Sequence, residues 1–265
     1  MEHFGRKVEG IIFDVDGTLL DTMPVWHDAG ARFLATLGIE AEEGLGDKLF
    51  SETVEAGAEY LIKEYGLDMT VKEVADGIDE QVAHAYQEEA GFKPGAKTLL
   101  DIAKAKGIPM TVATSTHRPF IESAFKRLGI LDYFLGIYTA SEVGKSKEEP
   151  DMFFIATEKM GTKIRNTWVF EDGLYAVKTA QKFGFGTVGV YDEVSAKDES
   201  EIKEIVLVKS ERRHLLRWSM VIVRLRKVTE QDLRFSWHSL YLQKKASLGH
   251  YVRHQRQSNS VCLYS

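Results

Sequence analysis

The stretch Val8-Glu9-Gly10-Ile11-Ile12-Phe13-Asp14-Val15-Asp16-Gly17-Thr18-Leu19-Leu20-Asp21-Thr22 decides the fold. Val8 to Phe13 is a mostly apolar run with the length of a buried parallel strand, and Gly17 is a turn residue that would end it. Asp14 and Asp16 therefore stand at a strand's carboxyl end. In open α/β sheets that edge is where ligands bind. Paired carboxylates there can hold a divalent cation, attack an electrophile or shuttle a proton. A bare Asp-x-Asp at a strand end also describes a solvated turn, so the weight rests on the whole string and on three segments downstream of it.

Each of those segments repeats the pattern of a short apolar strand or loop carrying chemistry-bearing residues. Pro109-Met110-Thr111-Val112-Ala113-Thr114-Ser115-Thr116 ends in hydroxyls. A hydroxyl and free backbone N–H groups at a strand end suit phosphate oxygens, although Thr-Ser-Thr alone would make an ordinary turn or cap. Lys145-Ser146-Lys147-Glu148-Glu149-Pro150-Asp151 offers two lysines in one loop. Thr167-Trp168-Val169-Phe170-Glu171-Asp172-Gly173 is a strand ending in two acids, with Ala176 and Ala180 beginning a helix. A helix dipole explains one acid there but not the order of the four segments. Strands are expected at 8–13, 109–113, 136–139, 167–170 and 186–190, alternating with helical patterns. That alternation predicts an α/β fold, a doubly wound parallel sheet with right-handed crossovers, whose active edge gathers residues remote in sequence.

In this order the four segments resemble the motifs of the haloacid dehalogenase superfamily of aspartate-nucleophile phosphatases and phosphomutases. The resemblance covers residues 8 to about 192. It implies a Rossmann-like core in which Asp14 is the nucleophile. Asp16 would be the proton donor to the leaving oxygen and then the base that activates water. Thr114 and Lys147 would hold the non-bridging oxygens, Ser115 would join the phosphate site, and Thr18 would orient the first loop beside it. The third motif is usually written Gly-Lys-Pro-x-Pro-Asp. Counting back four residues from Asp151 selects Lys147, but Glu148 replaces the first proline, so Lys145 stays an alternative. A phosphate ester repels a carboxylate nucleophile, so a cation must neutralise both. Magnesium is the expected ion, and the resemblance implies ligation by the Asp14 carboxylate, the Asp16 backbone carbonyl, Asp172 and, directly or through water, Glu171.

Residues 22–92, between the first two motifs, have helical periodicity and almost no strand signal. Trp26, Ala29, Phe33, Leu34 and Leu37 fall at helical spacing, as do Ala56, Tyr60, Leu61 and Tyr65. The position resembles the helical C1 cap of the family's subfamily I, returned to the core near Lys93-Pro94-Gly95. The expected organisation is an α/β core of residues 1–21 and 93–205, a cap of 22–92, and an atypical segment 206–265. A lid excludes bulk water and so strengthens electrostatic contacts to a phosphoryl group.

The substrate expected is a small phosphorylated metabolite, hydrolysed rather than isomerised. Asp16 and Thr18 argue against dehalogenation, which shares the fold without needing a metal or a second acid there. A β-phosphoglucomutase-like enzyme is the closer competitor. Those mutases carry a cap arginine and an early cap histidine, whereas this chain has no arginine between Arg32 and Arg118 and has Trp26 where the histidine would stand. Neighbouring His27 is read as a surface residue. A non-catalytic phosphate-binding or protein-binding module would have lost a motif acid or lysine, and none is lost.

At 265 residues and 44% hydrophobic content the chain can bury a sizeable core. The single cysteine, Cys262, makes no internal disulfide, which agrees with a reducing cytosol. No apolar run reaches the roughly 20 residues a bilayer needs, and the charged start lacks a signal-peptide core. A cytoplasmic monomer or weak dimer, with no membrane and no specific nucleic-acid partner, is expected. Gly184-Phe185-Gly186-Thr187-Val188-Gly189 fits the dinucleotide pattern, but a strand is expected after it rather than a helix. The composition shifts near Ile205. Residues 206–265 carry 12 Lys plus Arg against 3 Asp plus Glu, while the preceding 205 carry 22 against 37. Out-of-frame translation is the favoured reading of that segment; a basic arm for nucleic acid or an acidic membrane, and a small helical appendage, are the alternatives.

Overall fold

Ile11, Ile12 and Phe13 offer no polar face, so the segment they form has to be covered on both sides, as central strands of parallel sheets are. In the computed structural model, which describes residues 2–3, 6–50 and 52–202, this is so. An antiparallel pair, β1 (Glu2–His3) and β2 (Arg6–Lys7), precedes β3 (Gly10–Phe13), all of whose residues are buried. The sheet continues with β4 (Met110–Thr114), β5 (Ile137–Thr139), β6 (Thr167–Glu171) and β7 (Gly186–Gly189). Its order is β5-β4-β3-β6-β7, with every neighbouring pair parallel. Ile11 lies opposite Met110 on one side and Trp168 on the other. The strand order thus reverses at β3, and the crevice that such a switch point opens at the carboxyl ends lies beyond Phe13. All five expected strands are present, and the Gly184 to Gly189 pattern leads into β7 rather than a helix.

The two-residue period of the strands sorts their side chains between two layers. Ile11, Phe13, Met110, Val112 and Phe170 join α5 (Ala96–Ala105) and α6 (Arg118–Arg127) on one face. Ile12, Ala113 and Val169 pack with Met152, Phe153, Ala176 and Ala180 on the other. Those last four come from α8 (Asp151–Met160) and α9 (Leu174–Lys182), and α7 (Ala140–Val143) precedes them.

The chain leaves the sheet after Asp21 and returns at Lys93, whose N–H bonds to Leu19 O at 2.9 Å. Between them lie α1 (Met23–Thr36), α2 (Leu45–Leu49), α3 (Val54–Tyr65) and α4 (Val71–Glu88). Helix α4 starts with a full capping box, Thr70 and Glu73 satisfying each other's backbone N–H groups. Phe33, Leu34, Leu61, Val74 and Tyr86 belong to the same buried apolar cluster as Phe13 and Phe125, so the insertion shares its core with one face of the sheet. Leu37, expected on the apolar stripe of α1, is 42% exposed because the helix ends at Thr36 and Leu37 forms its C-cap. Among the described residues no helix is long and apolar enough to cross a membrane. Segment 206–265, with the readings offered for it, lies outside the described residues.

Candidate active site

Parallel pairing of β3 with β6 brings the ends of both strands together, and the Asp14 N–H donates to Phe170 O at 3.0 Å. Asp14 therefore meets Glu171 and Asp172 across more than 150 residues of chain. Each of the three offers a carboxylate oxygen within 4.8 Å of the others, and all three are buried. The turn that allows this needs Gly17. Its φ is +72°, a left-handed conformation, and a Cβ there would lie 2.7 Å from Asp172 Oδ2.

The loop between α7 and α8 delivers the counter-charge. Lys147 is buried, with Nζ 2.6 Å from Asp14 Oδ1 and a second ion pair to Glu171 Oε1. Lys145 is half exposed and pairs with Glu149 at the surface. Of the two lysines only Lys147 enters the cluster. Burial alone would depress its ammonium, but Asp14 and Glu171 outweigh burial and hold it well above the ordinary lysine value. Burial raises the Asp14 carboxyl well above the ordinary aspartate range; Lys147 opposes this, and Glu171 and Asp172 add to it. Asp172 is pushed up to about 7, by burial first and by Glu171 second. Three buried carboxylates against one ammonium leave an excess of negative charge in an all-oxygen cluster. That donor set fits a hard divalent cation such as magnesium.

Around this cluster, hydroxyls fix the acids. Thr18 Oγ1 donates to Asp172 Oδ1 at 3.2 Å and Ser195 Oγ to Asp172 Oδ2 at 2.9 Å. The Gly173 N–H donates to Glu171 Oε2 at 2.6 Å. Asp16 accepts from three hydroxyls: Thr22 at 2.6 Å, Thr116 at 2.7 Å and Tyr86 from α4. Thr114 is buried at the end of β4, where its Oγ1 accepts the Thr116 N–H at 3.1 Å.

A cleft of about 560 Å³ opens over these groups. Asp14, Asp16, Lys147, Glu171, Asp172 and Ser115 line it. Thr18 and Thr114 stand behind that lining. Trp26 also reaches the cleft, while His27 is tied to Asp28 and Asp47. Thr22, Tyr86, Thr116 and Ser195 were not singled out by sequence. Thr22 and Thr116 sat inside the quoted motif strings. Tyr86 and Ser195 carried no local signal, since only tertiary packing brings them to the acids.

The haloacid dehalogenase-like hydrolase family model matches residues 8–184. The chain is 25% identical over 206 residues to the phosphorylated carbohydrates phosphatase of Thermotoga maritima, covering 77% of this chain and 95% of that one. It is 27% identical over 187 residues to the fructose-1-phosphate phosphatase YqaB of Escherichia coli, covering 70% and 97%. A Thermotoga maritima structure provisionally called a beta-phosphoglucomutase shares the fold, with a TM-score of 0.65 and 24% identity over 72% of this chain and 91% of that one. Since the match spans both ends of the acidic cluster and the loop carrying Lys147, the chain belongs to the haloacid dehalogenase-like hydrolase family.

Proposed function

We propose that the chain is a magnesium-dependent phosphatase that hydrolyses a small phosphomonoester, a sugar phosphate or similar metabolite, through an aspartyl-phosphate. The observation that carries this reading is the buried meeting of Asp14, Lys147, Glu171 and Asp172 at one sheet edge. Asp14 Oδ attacks phosphorus, and Asp16, which must enter this step protonated, gives its proton to the departing ester oxygen. Water then attacks the acyl phosphate, Asp16 takes its proton, and inorganic phosphate leaves with Asp14 restored. Lys147, kept cationic by its two carboxylate neighbours, stabilises the charge on the non-bridging oxygens. Ser115 lines the cleft where phosphate oxygens need a donor, Thr114 at the end of β4 is the further hydroxyl of the phosphate site, and Thr18 braces Asp172.

Magnesium would be held by Asp14, Glu171, Asp172 and the Asp16 backbone carbonyl, and would neutralise nucleophile and phosphoryl group together. The insertion α1–α4 serves as the cap, contributing Met23, Trp26 and Phe50 to the cleft. Two relatives named as phosphatases of phosphorylated sugars support the substrate class. The isomerase alternative is disfavoured by Trp26, an indole without a titratable nitrogen, standing at the cleft where a histidine would be wanted. The test is release of inorganic phosphate from an aryl phosphate with and without magnesium, followed by acid quench and peptide mapping of the phosphoenzyme. Phosphate on Asp14 is the expected result; turnover without metal or a label elsewhere rejects the reading.

A further inference from the structure

The cleft has two chemically unlike parts. One holds Asp14, Asp16, Glu171 and Asp172 with Lys147 as the single cation. The side contributed by the insertion consists of Met23, Trp26 and Phe50, with no charge among them. Arg32, Lys48, Lys63 and Lys72 of the insertion do not line the cleft. Three of these are engaged elsewhere: Arg32 pairs with Glu89 at 2.9 Å, Lys48 with Glu42 at 2.7 Å and Lys72 with Asp76 at 2.6 Å. On the core side, Leu174, Tyr175 and Val194 add apolar surface. Two further lysines, Lys178 and Lys197, and Asp198 line the core side. Lys178 pairs with Glu201 at 2.5 Å, and Lys197 stands next to Asp198 in one turn.

Trp26 is also fixed. Its indole N–H donates to the Tyr86 hydroxyl at 2.9 Å, and the two rings meet edge to face with centroids 6.4 Å apart. Tyr86 in turn holds Asp16. The indole that walls the cleft and the carboxylate that serves the leaving oxygen thus share one anchor.

A leaving group with a second phosphate or a carboxylate would enter a cleft already rich in carboxylates and, among the described residues, find no cation on the insertion side of the lining. Taking such a charge out of water without a partner costs binding, whereas an uncharged group loses little and gains apolar contact. We propose, resting on the phosphatase reading, that the cleft selects monophosphate esters of uncharged alcohols. Trp26 and Phe50 are the wall that receives the leaving group and turns away a second anion.

Two matched pairs of esters test this with the full chain and magnesium: phenyl phosphate against 4-carboxyphenyl phosphate, and fructose 1-phosphate against fructose 1,6-bisphosphate. The charged member of each pair should show a kcat/KM at least about tenfold lower. Phe50→Arg should raise the charged-to-neutral ratio by about tenfold in both pairs. Trp26→Ala should raise KM for phenyl phosphate more than it lowers kcat, with Trp26→Phe restoring most of the loss. Equal use of both members by the unaltered chain, or a ratio unmoved by Phe50→Arg, overturns the proposal while leaving the phosphatase reading intact. Failure to hydrolyse any of the four esters overturns both.

Discussion

Tyr86, on α4, donates its hydroxyl proton to the Asp16 carboxylate 70 residues earlier in the chain. Thr22 and Thr116 donate to the same carboxylate, so the start of the insertion, its last helix and the edge of β4 converge on one group. Burial, reinforced by the charge of Asp16, holds the Tyr86 phenol well above the ordinary tyrosine value, so it remains a donor. The orientation of the proposed acid is thereby set by a residue outside all four motifs.

Tyr86→Phe removes one charge-assisted hydrogen bond and little volume. A loss of about ten- to a hundredfold in kcat is expected, with KM changed much less, because such bonds contribute about 1.5–3 kcal/mol. Steady-state kinetics on an aryl phosphate measures it; an unchanged kcat would mean that the threonines alone orient Asp16.

Asp14→Asn replaces the proposed nucleophile by a neutral amide of the same shape. Turnover should fall by on the order of 10⁴-fold or more, as when a covalent nucleophile is removed from other enzymes. Because the change also removes charge from an overcrowded cluster, the variant should melt no lower than the parent without metal. Residual turnover within a hundredfold of the parent would sink the assignment of Asp14.

The two lysines should separate cleanly. Lys147→Ala deletes the buried cation between Asp14 and Glu171 and should lower kcat by about 10²–10³-fold. Lys145→Ala removes an exposed pair with Glu149 and should leave kcat within about twofold, as for most surface ion pairs. The reverse order in a side-by-side assay would return the third motif to Lys145.

Acidic crowding also sets a pH dependence of stability. Asp172 titrates near 7 in the folded chain, from burial and then Glu171, against an ordinary value of 3.8, and Asp14 is shifted the same way. The native state therefore binds protons that the unfolded chain releases. The stability this confers is complete below about pH 4 and is lost as the pH rises through about 7. Magnesium should offset the loss, so its stabilisation of the melting temperature should be larger near pH 8 than near pH 5.5. Thermal scans in EDTA and in magnesium at both pH values give the comparison, and Asp172→Asn should shrink the difference. A metal increment independent of pH would show that these carboxylates do not share the ion.

Sequence alone determined the sheet, because Ile11 to Phe13, Met110 to Ala113 and Thr167 to Phe170 are short, apolar and flanked by turn residues, which leaves a buried parallel strand as their only stable use. It also set Asp14, Glu171 and Asp172 at the carboxyl ends of strands, whereas the pairing of β3 with β6 that makes them neighbours belongs to the tertiary structure. Loop geometry was not legible. Glu148 blurred the third motif: counting back from Asp151 selects Lys147 but leaves Lys145 open, and in the fold Lys147 pairs with Asp14 while Lys145 pairs with Glu149. The contacts of Tyr86, Trp26 and Ser195 were still less accessible to pattern, because their helices and loops have the same periodicity whichever way they dock. Hydrogen bonds between residues 60 to 70 positions apart, such as Trp26 to Tyr86 and Tyr86 to Asp16, depend on how the insertion packs over the sheet, and that packing is decided by side-chain volume and buried polar pairing across the whole core.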